Sequence, residues 1–172
     1  PKYSNGEVVR QLCGHGDAII RQYCVWAVLE NHRLGPEHLG IPFDALEKEP
    51  ENVQAKLLQL GSSTISDPFA RQDFVIRGSN LQSIDAREGL AKGLAAEFYD
   101  GLQDIVVEWL TAEDSRRVRL LLAEHIARFS EEVPTYTELA VALAEEDAEF
   151  RERVLLGAEG RPLYGTLRAQ GD

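Results

Sequence analysis

The sequence predicts an all-α fold: a right-handed α-solenoid of about five antiparallel helix pairs, forming one domain over residues 1–172. Three observations predict it. Five stretches recur at a nearly constant spacing, apolar residues in them occupy matching helical columns, and helix start signals punctuate the chain between them. The stretches are AIIRQYCVWAV from Ala18, ENVQAKLLQLG from Glu51, IDAREGLAKGL from Ile84, RRVRLLLAEHI from Arg116 and AEFRERVLLGA from Ala148. Each carries a long polar residue after an apolar or small one: Arg21, Gln54, Arg87, Arg119 and Arg151, spaced 33, 33, 32 and 32 residues apart.

Counted from that polar residue, position +3 holds Cys24, Leu57, Leu90, Leu122 and Val154, and +4 holds Val25, Leu58, Ala91, Ala123 and Leu155. Position +7 holds Val28, Gly61, Leu94, Ile126 and Ala158. Apolar residues at +3, +4 and +7 share one helix face. Position +6 is mostly small (Ala27, Leu60, Gly93, His125, Gly157), which suits close approach by a neighbouring helix.

Each of these B helices follows another apolar segment, helix A, at 8–12, 42–49, 68–78, 102–110 and 136–146. Side chains that accept from free helix N–H groups mark the starts. Asp17 caps the first B helix, Asp85 with Glu88 forms a box for the third, and Ser115 caps the fourth. Ser4 with Glu7 and Thr135 with Glu138 serve the first and last A helices. Pro36, Pro42, Pro50, Pro68 and Pro134 fall at breaks or first turns, where a missing N–H does least harm. The repeats then run roughly 4–31, 35–61, 67–98, 101–130 and 134–159, with 160–172 as a C-terminal cap or a truncated repeat. One helix pair cannot bury its apolar face alone, whereas stacked pairs can. The expected arrangement puts A helices on the convex side and B helices on the concave side.

Composition narrows the function. The apolar fraction is 44% and the charged fraction 27%, ordinary for a soluble domain. No apolar run reaches the length of a membrane span, and no secretory leader opens the chain as given. Two cysteines make no disulfide framework, so a reducing cytoplasm is expected. The net charge of −11 disfavours nucleic acid, whose binding depends on clustered Lys and Arg. Residues 1–86 carry 8 basic and 11 acidic side chains and residues 87–172 carry 10 and 18, so the acid concentrates in the second half. Solubility explains this; a basic partner for that half is the sharper alternative. The absence of Met and the repeat pattern suggest a chain excised from a longer protein.

The unit resembles HEAT-like repeats, whose helix B opens with a D/E-x-x-V-R pattern. Asp17-Ala-Ile-Ile-Arg21, Asp114-Ser-Arg-Arg-Val118-Arg119 and Asp147-Ala-Glu-Phe-Arg151 look like it. The second unit departs with Gln54, and the third has Asp85 only two residues before Arg87. The resemblance covers most of residues 5–158. It implies a scaffold or binding module, non-catalytic and without a cofactor. More loosely, RQYCVWAVLEN followed by LGI and PENVQ resembles HEAT-type segments of bacterial multidomain signalling or defence proteins.

Candidate sites follow. Arg21, Gln54, Arg87, Arg119 and Arg151 read as a structural repeat ladder bonded to loop carbonyls or carboxylates, rather than as an anion-binding row. Cys13, His15, Cys24, His32 and His38 lack the paired close spacing of a metal site. Cys24 stands in a core column, and GHGD at Gly14–Asp17 is a turn with a cap, not a phosphate loop. The carboxylates Glu47, Glu49 and Glu51, and Glu145, Glu146, Asp147 and Glu149, are expected to be solvated surface.

Tyr23 and Trp26 stand out. They fall off the inward face, on the side that later repeats fill with Lys56, Gln59, Glu88, Lys92 and Glu124. A helix apolar all round must be covered on more than one side. A preceding repeat, a partner, a homodimer contact or an ordered ligand would each serve. The expectation is a protein or peptide partner, with no nucleic acid or membrane, bound by Tyr23, Trp26, Lys56, Lys92 and Glu124; a homo-oligomer through the Tyr23/Trp26 face is the variant. The rivals are a HEAT-like lyase or chaperone acting on a bound chromophore, and a HEAT-like DNA-binding or glycosylase protein.

Overall fold

The computed structural model describes residues 5–30 and 43–170. Ser4, Pro36, Pro42, His32 and His38 lie outside the described residues. Within them the chain is helical, with no strand. The helices are α1 (Asn5–Cys13), α2 (Ala18–Glu30), α3 (Glu51–Thr64), α4 (Pro68–Ser79), α5 (Ile84–Leu94), α6 (Gln103–Ala112), α7 (Arg116–Arg128), α8 (Pro134–Glu146), α9 (Ala148–Gly157) and α10 (Pro162–Ala169). A 3-10 segment, Phe43–Lys48, stands where the sequence suggested a second A helix. Pro50, at the N-cap of α3, disfavours helical backbone in the residue before it, so the segment stays short and tight.

The chain divides into two compact units, the first ending at Gly93 and the second opening at Leu94. In the first, α1 packs on α2, α2 on α3, and α3 on both the 3-10 segment and α4. Its core holds Val25, Val28, Leu46, Val53, Leu57, Leu58, Val75 and Leu90. In the second, α7 packs on α9, α8 on α9 and on α7, and α6 on α7. Its core holds Val106, Leu122, Ile126, Tyr136, Phe150, Val154 and Leu167.

The +3, +4 and +7 columns are buried in every B helix apart from Leu155, which is half-buried. Position +6 explains how closely the helices approach. A Cβ on Gly93 would run into the Gln59 carbonyl and Ser62 of α3, and one on Gly157 would run into the Glu124 carbonyl of α7. Gln59 and Glu124 occupy the same +5 column, so the first unit and the second use one packing register.

Three caps differ from the sequence reading. Ser83, not Asp85, serves α5, its Oγ accepting from Ala86 N at 3.2 Å; Asp85 lies inside the first turn. Ser115 stands at the N-cap of α7 without a side-chain bond, while its own N–H donates to Glu113 Oε1 at 2.9 Å. Val133 is the N-cap of α8, because Pro134 fits the first helical position and starts the helix before Thr135 can cap it. Asp17 does cap, its Oδ1 accepting from Ile19 N at 2.8 Å; Asp147, not expected as a cap, serves α9, its Oδ1 accepting from Glu149 N at 2.9 Å and Phe150 N at 3.1 Å.

Candidate functional site

The repeated polar position comes first, because it sets the register of the helices that frame the site. Arg21 Nη1 donates to His15 O at 2.6 Å and Gly16 O at 3.0 Å; Arg87 Nη1 donates to Leu81 O at 2.7 Å and Gln82 O at 3.0 Å. Gln54 Nε2 reaches Glu47 O at 3.3 Å and Glu49 O at 2.8 Å. All three side chains turn back onto the carbonyls of the turn before their own helix, five to seven residues upstream. Those carbonyls are left without helical partners where the preceding segment ends. In the second unit the same column reaches further along the chain: Arg119 Nη2 to Glu146 Oε1 at 2.9 Å, and Arg151 Nη2 to Leu167 O at 2.6 Å.

The acidic turns lie at the surface, with all but Glu49 of their carboxylates exposed, and several of them pair with arginines. Arg21 holds Glu49 at 2.8 Å, Arg77 holds Glu47 at 3.0 Å, and Arg116 holds Asp147 at 2.7 Å and Glu149 at 2.8 Å. The partners stand 28 to 33 residues apart, one repeat length, which is the signal that identifies them in the sequence. Arg21–Glu49 is half-buried; the more exposed pairs add little stability singly, typically ~0–1 kcal/mol.

Cys13 and Cys24 are buried free thiols on the facing helices α1 and α2. Burial, with Cys24 beside it, pushes the Cys13 thiol up to about 12; burial also raises Cys24. Both are therefore protonated and unreactive at neutral pH. His15 Nδ1 accepts from Asp17 N at 3.0 Å and serves the turn. Among the described residues no cluster of three or more His, Cys, Asp or Glu is placed to hold a metal.

The Tyr23/Trp26 region has a different character. Tyr23 is 61% exposed and Trp26 45%, and their rings stack at 6.1 Å with a 22° interplanar angle. They sit two and five residues after Arg21, so they share one side of α2 while Cys24, Val25 and Val28 face the core. Lys56 of α3 places its Nζ 5.4 Å from the Trp26 ring centroid, a cation–π contact that orients both side chains. Beside them runs a groove of about 240 Å³ formed by α2, α3 and α5. Its lining includes Gln22, Asn52, Lys56, Gln59, Glu88 and Lys92. Asn52 Nδ2 donates to Gln22 Oε1 at 3.0 Å, tying α3 to α2 across one end. Gly89 forms part of the floor; any side chain there would strike the Ala55 backbone. The groove is polar and open, bordered by an apolar shelf of Tyr23 and Trp26.

Of the partner-binding residues expected from the sequence, Tyr23, Trp26, Lys56 and Lys92 thus border one surface of the first unit. Glu124 belongs to the second unit, where its carboxylate accepts from Arg128 Nη2 at 2.9 Å and Arg153 Nη1 at 3.1 Å. The residues missed were Gln22, Asn52, Ala55, Asp85 and Gly89. They occupy columns −2, +1 and +2 of the B helices, so the repeat alignment would have found them had those columns been followed. No protein family, curated protein or solved structure matches this chain.

Proposed function

We propose that the chain is a non-catalytic interaction module of the HEAT-like type, its helix pairs stacked as an α-solenoid, with the B-helix surface binding a peptide or protein. The stacked, exposed Tyr23/Trp26 pair beside the α2–α3–α5 groove carries this reading. Aromatic residues of that size bury large area at contacts and lose little conformational freedom, and contacts are enriched in them. Lys56, Lys92, Asn52 and Glu88 supply hydrogen-bonding and charged groups next to the apolar shelf, the combination of anchor and polar rim found at binding surfaces. Glu124 stands at the same repeat position, +5, as Trp26, Gln59 and Lys92. A second copy of the chain is the variant occupant.

The test uses peptides selected from a random display library on the immobilised protein. Titration against the wild type and against Tyr23→Ala with Trp26→Ala should show at least tenfold weaker binding by the double variant. Sedimentation of both proteins reads self-association in parallel. Unchanged peptide affinity together with unchanged self-association would refute the assignment.

A further inference from the structure

A second groove lies within the second unit, between α6 and α8, with a volume of about 690 Å³. It is lined by Asp104, Val107 and Glu108 of α6 and by Thr135, Glu138 and Leu139 of α8. Both sets fall at i, i+3 and i+4, so one stripe of each helix faces the groove. At one end the helices are tied by Tyr136, whose hydroxyl donates to Gln103 O at 3.4 Å. Val107 and Leu139 remain half-buried, and Asp104, Glu108, Thr135 and Glu138 are exposed.

The charges are the informative part. No basic side chain lines this groove. Several carboxylates elsewhere in the unit are matched: Glu124 by Arg128 and Arg153, Glu146 by Arg119, Asp147 and Glu149 by Arg116, and Glu113 by the Trp109 indole N–H. Asp104, Glu108 and Glu138 make no ion pair with any described residue. Their charge is felt locally: burial and the neighbouring Asp104 together push the Tyr136 hydroxyl above its usual range. Three carboxylates without an ion pair therefore rim two apolar side chains, on stripes one helical turn long.

We propose that the α6–α8 groove docks a basic amphipathic helix from a partner protein, with apolar residues at i, i+3, i+4 and i+7 on Val107 and Leu139 and Lys or Arg side chains against Asp104, Glu108 and Glu138. Apolar anchors at that spacing suit a groove between two helices. Complementary charge sets orientation and encounter rate, and makes the complex salt-sensitive. This surface shares no residue with the Tyr23/Trp26 shelf, and the proposal does not depend on that shelf.

The probe is a synthetic 18-residue amphipathic helix with Leu anchors and Lys flanks; its Glu-flanked counterpart is the control. Fluorescence anisotropy would be read at low and high salt on the full chain. The Lys peptide should bind, the Glu peptide should not, and high salt should weaken binding at least tenfold. Glu108→Lys with Glu138→Lys should lose at least tenfold in affinity. Glu131→Lys with Glu132→Lys, which changes net charge equally at exposed positions outside the groove, should lose less than threefold. Tyr23→Ala with Trp26→Ala should leave this binding unchanged. Circular dichroism confirms that each variant is folded. Absence of binding, or equal losses from the two charge-reversed pairs, would overturn the proposal, the latter because generic attraction to an acidic protein would then suffice.

Discussion

His125 makes the fold of the second unit sensitive to acid. Its ring is 5% exposed, lies 4.8 Å from the Phe129 ring and 6.0 Å from that of Tyr136, and places Nδ1 3.2 Å from Leu94 O. Because that carbonyl only accepts, Nδ1 carries the proton and the neutral ring is the form that fits. Burial is the main cause that lowers the His125 pKa from 6.5 to about 4, with the Arg128 charge acting in the same direction against the Leu94 hydrogen bond. An unfolded chain takes up this proton below about pH 6.5, and the folded chain only below about pH 4. Stability from this residue is therefore complete above pH 6.5 and declines as pH falls towards 4. One proton of difference gives a slope of about 1.4 kcal/mol per pH unit, so the window holds roughly 3 kcal/mol. Urea denaturation of the wild type and His125→Leu across pH 4–8 checks this. Carboxylate titration is common to both proteins, so their difference isolates the histidine. The wild type should lose about 3 kcal/mol more than the variant between pH 7 and 4, and the His125 ring signals should titrate near 4. Titration near 6.5, or parallel stability curves, would refute the reasoning.

Other outcomes follow from the same geometry. Gly93→Ala and Gly157→Ala each force a methyl into the backbone of the preceding B helix and should cost about 1–3 kcal/mol in urea denaturation. Gly165→Ala has open space at its Cβ and sits inside α10, so it should be neutral or stabilise by up to about 1 kcal/mol. Arg87→Met leaves the Leu81 and Gln82 carbonyls without their guanidinium and should cost about 1–3 kcal/mol by thermal melting, whereas Arg87→Gln, copying Gln54, should cost less. Cys13 and Cys24 should resist alkylation by iodoacetamide at pH 8 in the folded chain and react at once in urea; rapid labelling of either without unfolding would contradict their burial.

The core was legible because it depends on periodicity. Cys24, Leu57, Leu90, Leu122 and Val154 share one column, and each is buried. The glycines of column +6 were legible as close-approach positions for the same reason. Start signals misled where two candidates competed: Ser83 immediately precedes the first residue of α5 whereas Asp85 is already inside it, and Pro134 overrules Thr135. His125 was hidden because a column otherwise filled mostly by small residues gives no reason to expect a buried ring reaching the Leu94 carbonyl. The acidic turns were legible as surface, and all but Glu49 of those carboxylates are exposed; their Arg partners were not, because they stand a repeat away in sequence. Tyr23 and Trp26 were legible as outward-facing from the helical wheel, while the groove beside them depends on how α3 and α5 approach through Gly89.

The most direct test of the binding surface reads the two tryptophans separately. Trp26 is half-exposed on the shelf and Trp109 is buried with its indole N–H on Glu113, so ¹⁵N-labelled protein offers a reporter and an internal control. On addition of a display-selected peptide, the Trp26 indole resonance and the amides of Gln22, Asn52, Lys56 and Lys92 should shift together, with Trp109 unmoved. Saturating binding that leaves Trp26 and those amides unshifted would contradict the account.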